Sequence, residues 1–167
     1  MESNFNSFKI FVDADSCPRL ARDLVLRRAA KLGIRIIFAA NRPIPVTPAQ
    51  GISVEGSHAA FTGAEMEVCS AAENSADDRI VELSEKGDLV ITRDVPLAKR
   101  LVEKDVSVID DRGRVFTAGN INELLSLRNF AVGLADNGMG SERTASYSRK
   151  ELKTFADSLD RILTKKL

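Results

Sequence analysis

Short runs of β-branched and aromatic residues, each closing on an acid or an amide, set the rhythm of the chain: KIFVDAD, IRIIFAAN and DLVITRD. After the first, PRLARDLVLRRAAKLG has apolar positions at helical spacing, with Pro18 suited to the first turn and Gly33 placed to close the helix. IRIIFAAN is continuously apolar, as a parallel strand covered on both faces is, so residues 9 to 40 read as one βαβ unit. Further on, AEMEVCSA predicts a short strand. ADDRIVELSEKG predicts a helix capped by Asn74 or Ser75, with Asp77 and Asp78 in its first turn and Gly87 at its end. DLVITRD is a strand, VPLAKRLVEKD a helix with Pro96 near its start, and VSVID another strand. From RGRVFTAGNINELL onward the pattern turns helical. SERTASYS is polar and loop-like, and RKELKTFADSLDRILTKKL forms a last amphipathic helix, with Ser148 and Glu151 spaced as a capping box.

Strand and helix alternate through most of the chain, which predicts an α/β domain: doubly wound, with a mainly parallel sheet flanked by helices and a C-terminal helical extension. Residues 1–8 are a polar lead and 9–167 one domain, since 167 residues build one sizeable core more readily than two. The segment RPIPVTPAQGISVEGSHAAFTG interrupts the alternation with three prolines and three glycines, and is expected to be a loop or a short edge excursion. No internal repeat or low-complexity tract is present.

Charge and composition narrow the function. Lysine plus arginine equals aspartate plus glutamate at 24 each, so no global field draws in polyanions, and any nucleic-acid contact must come from a local patch. No stretch approaches the roughly 20 apolar residues of a membrane span. The opening MESNFNSFKI lacks the features of a secretion signal, and two cysteines give neither a disulfide framework nor a metal-finger spacing. A cytoplasmic protein with no membrane partner is expected.

The acids carry the chemistry. Asp13 and Asp15, Asp94 and Asp110 all fall just past strand ends or at a helix start, the edge of an open α/β sheet where sites form. Carboxylates gathered there repel one another and lose solvation, an arrangement that a hard divalent cation relieves, so an acidic Mg²⁺ or Mn²⁺ site is expected. The one histidine, His58, lies in the irregular segment, which leaves a histidine base or a Ser-His-Asp triad poorly supported. A cysteine-phosphatase loop fails because Asp23 stands where its arginine would be and Arg22 is one position short.

Taken in order, Val12-Asp13-Ala14-Asp15 with Cys17-Pro18, Ala39 to Pro43 as AANRP, Ala76-Asp77 with Ile80-Val81, Gly87 to Thr92 as GDLVIT with Asp94 and Pro96-Leu97-Ala98, Arg112-Gly113, and a terminal FxxxLDRxL helix resemble the YaiI/YqxD family of small bacterial proteins. The resemblance runs from Lys9 to Leu163 and implies a PIN-like fold. It departs in two places: residues 47 to 63 look longer than in relatives, and a glycine-glycine-proline stretch before the last helix is replaced by Gly140-Ser141-Glu142-Arg143.

A PIN-like protein would be a nuclease, its acids holding one or two divalent ions that polarise a phosphodiester of RNA or DNA and activate water. On this reading Asp13, Asp94 and Asp77 are the metal ligands, and Asp15 and Asp110 complete the catalytic set. Each of the last three also has a plain structural role to weigh: Asp15 as a cap for the helix near Pro18, Asp77 as a partner for its helix dipole, Asp110 as the start of the IDDRG turn. Their neighbours Asp78 and Asp111 are expected to be solvated. Thr92 can bind a phosphate oxygen or orient a ligand carboxylate, and Arg42, Arg93 and Arg112, with Arg114, can grip substrate phosphates. Cys17 is expected to pack beneath the site.

Two rival functions remain open. VDADS also resembles the first motif of haloacid-dehalogenase-type phosphatases, in which an aspartate attacks phosphate, although IIFAAN supplies no serine or threonine after the second strand. The other is a non-catalytic protein whose acidic edge binds a metal or a partner.

Overall fold

Strand β1 (Lys9–Asp13) occupies the middle of a six-stranded sheet, and the chain builds outward from it in both directions. Helix α1 (Arg19–Leu32) carries it to β2 (Arg35–Ala40), which pairs parallel to β1, and β3 (Ala64–Val68) adds in parallel beyond β2. Helix α2 (Ser75–Leu83) returns the chain to the other side of β1, where β4 (Leu89–Ile91), α3 (Val95–Glu103) and β5 (Ser107–Ile109) continue the parallel sheet. A two-residue antiparallel strand, β6 (Val115–Phe116), ends it, giving the order β3-β2-β1-β4-β5-β6. Helices α4 (Ile121–Asp136) and α5 (Arg149–Lys166) follow. The structure, a computed structural model, describes residues 7–44, 63–70, 72, 74–136, 138 and 147–167.

Alternation along the strands creates two cores. Ile10 and Val12 of β1, with Ile36 and Phe38 of β2, face one layer, where α1 contributes Val25, Leu26 and Ala29 and α5 contributes Phe155, Leu159 and Leu163. Phe11, Ile37 and Val90 face the opposite layer, closed by Ile80 of α2 and Leu97, Ala98 and Leu101 of α3. Both faces of β1 and β2 are covered, which is why these strands read as unbroken apolar runs. Each large side chain sealed this way contributes on the order of 1.5–3 kcal/mol. The doubly wound α/β architecture is therefore the one anticipated, C-terminal helix included.

Several local expectations hold in detail. Gly33 closes α1 in the left-handed region at φ 65°, and Ser148 with Glu151 forms a capping box at the start of α5. Others need correction. Helix α2 stops at Leu83 rather than running to Gly87, because Ser84 turns extended and Asp88 then accepts from the Glu85 N–H at 2.8 Å, closing a separate turn. Neither Asn74 nor Ser75 caps α2 with its side chain: Asn74 is left-handed, at φ 62°, whereas a capping side chain acts from extended backbone. Strand β6 lies inside the stretch read as helical. Two residues are too short to show a period, and only pairing with β5 makes them a strand. His58, the excursion beyond Ile44 as far as Thr62, and Gly140 to Arg143 lie outside the described residues.

Two of the motif's residue pairs prove structural. Asp88, 2% exposed, accepts from the Lys9 and Glu85 backbone N–H groups at 2.8 Å each and so pins the start of β4 to the start of β1. Gly113 turns at φ 89° directly beneath α5, where its carbonyl accepts from Ser158 Oγ at 2.8 Å. A Cβ there would stand 2.9 Å from the Thr154 carbonyl oxygen, on rigid helix backbone. Gly87 has a similar φ of 93° but open space around it. Gly113→Ala should therefore lose about 2 kcal/mol or more and Gly87→Ala about 1 kcal/mol, the conformational part alone. Urea unfolding of both variants checks this, and equal losses would refute the packing argument.

Candidate functional site

The sheet reverses its direction of growth next to β1: β2 lies on one side, β4 on the other. In such sheets the crevice at the carboxyl ends of the two diverging strands is where ligands bind. Here it is a cleft of about 430 Å³ lined by Asp13, Asp15 and Ser16 after β1, Asn41 after β2, Asn74, Ala76 and Asp77 at the start of α2, Arg93, Asp94 and Val95 after β4, and Arg128 from α4.

Parallel register places the first contact. Val12 pairs with Ile91, so the next residues, Asp13 and Thr92, stand side by side, and Thr92 Oγ1 donates to Asp13 Oδ2 at 2.7 Å. Ser16 Oγ donates to the same oxygen at 3.0 Å. Thr92 in turn accepts from the Asp94 N–H at 3.0 Å, while Asp94 Oδ1 accepts from the Leu97 N–H at 3.0 Å as the N-cap of α3. Thr92 thus orients the Asp13 carboxylate. It is 1% exposed, too buried to offer itself to a substrate phosphate directly.

The acids bear on one another. Asp13 is 4% exposed. Burial pushes its carboxyl above the usual carboxylate range, Thr92 and Ser16 pull it back, and Asp94 and Asp15 push it up again. Asp77 is also pushed up, from 3.8 to about 7, first by burial and then by the charges of Asp94 and Asp13. Asp15 is exposed and does not cap α1; its Oδ2 accepts from the Asn41 N–H at 2.9 Å, tying the ends of β1 and β2 together.

Not every candidate reaches the cleft. Asp110 Oδ1 accepts from the Arg112 and Arg114 N–H groups at 2.9 and 2.8 Å, the turn-starting role that competed with catalysis, and it is not among the cleft's lining residues. Asp111, expected in solvent, is 1% exposed: Arg93 grips it with Nε at 2.8 Å and Nη2 at 2.5 Å. A carboxylate is tolerated at that depth only when so paired. Arg93 therefore lines the cleft with its guanidinium already engaged. Arg42 is exposed beside Asn41, and Arg112 is exposed in the β5–β6 turn; neither lines the cleft. Asp78 is exposed, as anticipated, and pairs with Arg100 at 2.9 Å. Cys17 is buried with its thiol pushed up by burial and by Asp111, which suits packing and not nucleophilic attack.

Ser16, Asn41, Asn74 and Arg128 were not anticipated as lining residues. Ser16 and Asn41 sit within the DADSCP and AANRP stretches, where they could have been picked out by position. Asn74 was marked only as a candidate cap for α2, and Arg128 by nothing local.

The donor set is all hard oxygen, the chemistry Mg²⁺ and Mn²⁺ favour. The charges of Asp94 and Asp13 both bear on Asp77, a repulsion that a cation would relieve. Among the described residues no three His, Cys, Asp or Glu side chains already stand in metal-holding geometry. It is the chemistry of these oxygens and their mutual repulsion, not a preformed geometry, that suits a divalent ion.

An α/β protein with an acidic cleft at the switch point of its sheet is the class these features define. A sequence profile described as "Uncharacterized BCR, YaiI/YqxD family" matches residues 11–165, and the chain belongs to that family. It is similar to a UPF0178 protein of Treponema denticola, 46% identical over 159 residues that cover 95% of this chain and 94% of the relative. UPF0178 proteins of Treponema pallidum, at 43% over 95% and 82% of the two chains, and of Ectopseudomonas mendocina, at 38% over 94% and 97%, are similar along nearly the same span.

The raised Asp77 makes a pH prediction. A carboxyl higher in the folded than in the unfolded chain favours folding below about pH 4, and that contribution is lost as pH rises toward about 7. Asp77→Asn should therefore melt above wild type at about pH 8, with the gap closing toward about pH 4. Thermal unfolding across that range checks this, and a gap independent of pH would contradict it.

Proposed function

We propose that the cleft is the active site of a Mg²⁺- or Mn²⁺-dependent nuclease acting on RNA or DNA phosphodiesters. The observation that carries this reading is the convergence of Asp13, Asp77 and Asp94 at the switch point, with Asp77 raised to about 7 by burial and then by its acidic neighbours. These three residues would hold the ion. When bound, it supplies Lewis-acid polarisation of the phosphoryl group and lowers the pKa of water.

The chain's own residues do the rest. Thr92 and Ser16 fix the Asp13 carboxylate through two hydrogen bonds, so that it needs little reorganisation to serve as a ligand. Asp94 is held by its capping bond to Leu97 at the start of α3. Asp15, exposed at the cleft's rim and steadied by the Asn41 N–H, is placed to orient water or accept a proton. The PIN-like fold that the family resemblance implies is consistent with the same chemistry. No helix among the described residues is long and apolar enough to cross a membrane, and the free thiols of Cys17 and Cys69 suit a reducing compartment, so we place the protein in the cytoplasm.

Calorimetric titration with Mn²⁺ tests the reading without knowledge of the substrate. Wild type should bind saturably, Asp13→Asn with Asp94→Asn should abolish the heat, and Thr92→Val should weaken affinity by about 10–100-fold through the loss of its orienting bond. Cleavage of a fluorogenic oligonucleotide should fall in parallel. Absence of Mn²⁺ binding together with absence of cleavage in wild type would exclude the proposal and favour a non-catalytic role.

A further inference from the structure

A phosphodiester carries negative charge into a cleft that already holds four aspartates, so something on its walls must oppose them. Of the arginines among the described residues that line the cleft, Arg93 is committed to Asp111 through both arms of its guanidinium. Arg128 is different. It donates to the neighbouring Asn129 amide at 3.2 Å and has no carboxylate partner among the described residues.

Its placement follows from the helix that bears it. Ile121, the one buried side chain among the described residues of α4, seats that helix against the α3 side of the core, and Arg128 lies seven residues on, two turns along the same face. The face that packs apolar at its start thus becomes cationic where it reaches the cleft. Leu127 and Phe130 beside it are 58% and 67% exposed, so this part of α4 is not held in place as core filling.

Resting on the nuclease reading above, we infer that Arg128 is the substrate-binding residue of the cleft, gripping a phosphate of the bound strand. A guanidinium suits this because it offers a planar fork to two phosphate oxygens and keeps its charge beside carboxylates. Arg128 takes no part in holding the ion, so its removal separates substrate binding from metal binding.

The test uses the full chain, with fluorescence anisotropy of short single-stranded phosphorothioate oligonucleotides, in ribo and deoxyribo forms, measured in Mn²⁺ over a salt series. Mn²⁺ calorimetry runs alongside. Arg128→Ala should weaken oligonucleotide binding about tenfold and lower the salt slope by roughly 1, while leaving the Mn²⁺ isotherm unchanged. Arg128→Lys should restore the slope and only part of the affinity, because the charge returns without the fork. Unchanged affinity and slope in Arg128→Ala would overturn the assignment and leave the metal reading intact, as would a wild type that binds Mn²⁺ but no oligonucleotide. A wild type that binds no Mn²⁺ would instead overturn the reading on which the assignment rests.

Discussion

A carboxylate kept almost dry at the end of the central strand is the constraint around which the rest is arranged. Asp13 is the last residue of β1 and 4% exposed, and an ionised group so placed costs several kcal/mol unless its neighbours compensate. Compensation comes from Thr92 and Ser16, which donate to one of its oxygens. Thr92 is available only because β1 and β4 run parallel in the register that sets Val12 against Ile91. Alignment of the sheet and preparation of the carboxylate are one event.

The acids divide the labour in a way their shared chemistry conceals. Asp88 and Asp111 are as buried as Asp13, yet each is fully engaged: Asp88 by backbone N–H groups at the opposite edge of the sheet, Asp111 by Arg93. Tyr147 reinforces the second, donating to the Asp111 carbonyl at 2.6 Å just before α5 begins. Asp110 spends its carboxylate on its own turn. What distinguishes Asp13, Asp77 and Asp94 is that they line one cleft, where the charges of Asp94 and Asp13 bear on Asp77, a repulsion that a cation can relieve.

The same contrast governs the basic residues. Arg22 braces the DADSCP turn by donating to the Ala14 and Cys17 carbonyls at 3.3 and 2.8 Å, and Arg93 holds a buried aspartate. Both support the architecture of the cleft's floor. Arg128, reaching in from a helix otherwise largely exposed, is the one that faces the cleft without a carboxylate of its own among the described residues.

The sequence by itself determined the strands and helices whose signal is local. Unbroken apolar runs marked β1 and β2, helical periodicity with Pro18 and Gly33 marked α1, and Ser148 with Glu151 marked the start of α5. It also singled out Asp13 and Asp94, because a strand's end in an α/β pattern is a position that can be read along the chain. Tertiary structure alone decided that Asp111 is buried, that β6 exists, and that Arg128, over a hundred residues from Asp13, shares its cleft. The reason is physical: periodicity records which face of an element avoids water, whereas the partner of a given charge depends on which elements meet. Pairing of β5 with β6 and packing of α4 beside α3 are contacts between segments, and no stretch of chain carries them alone.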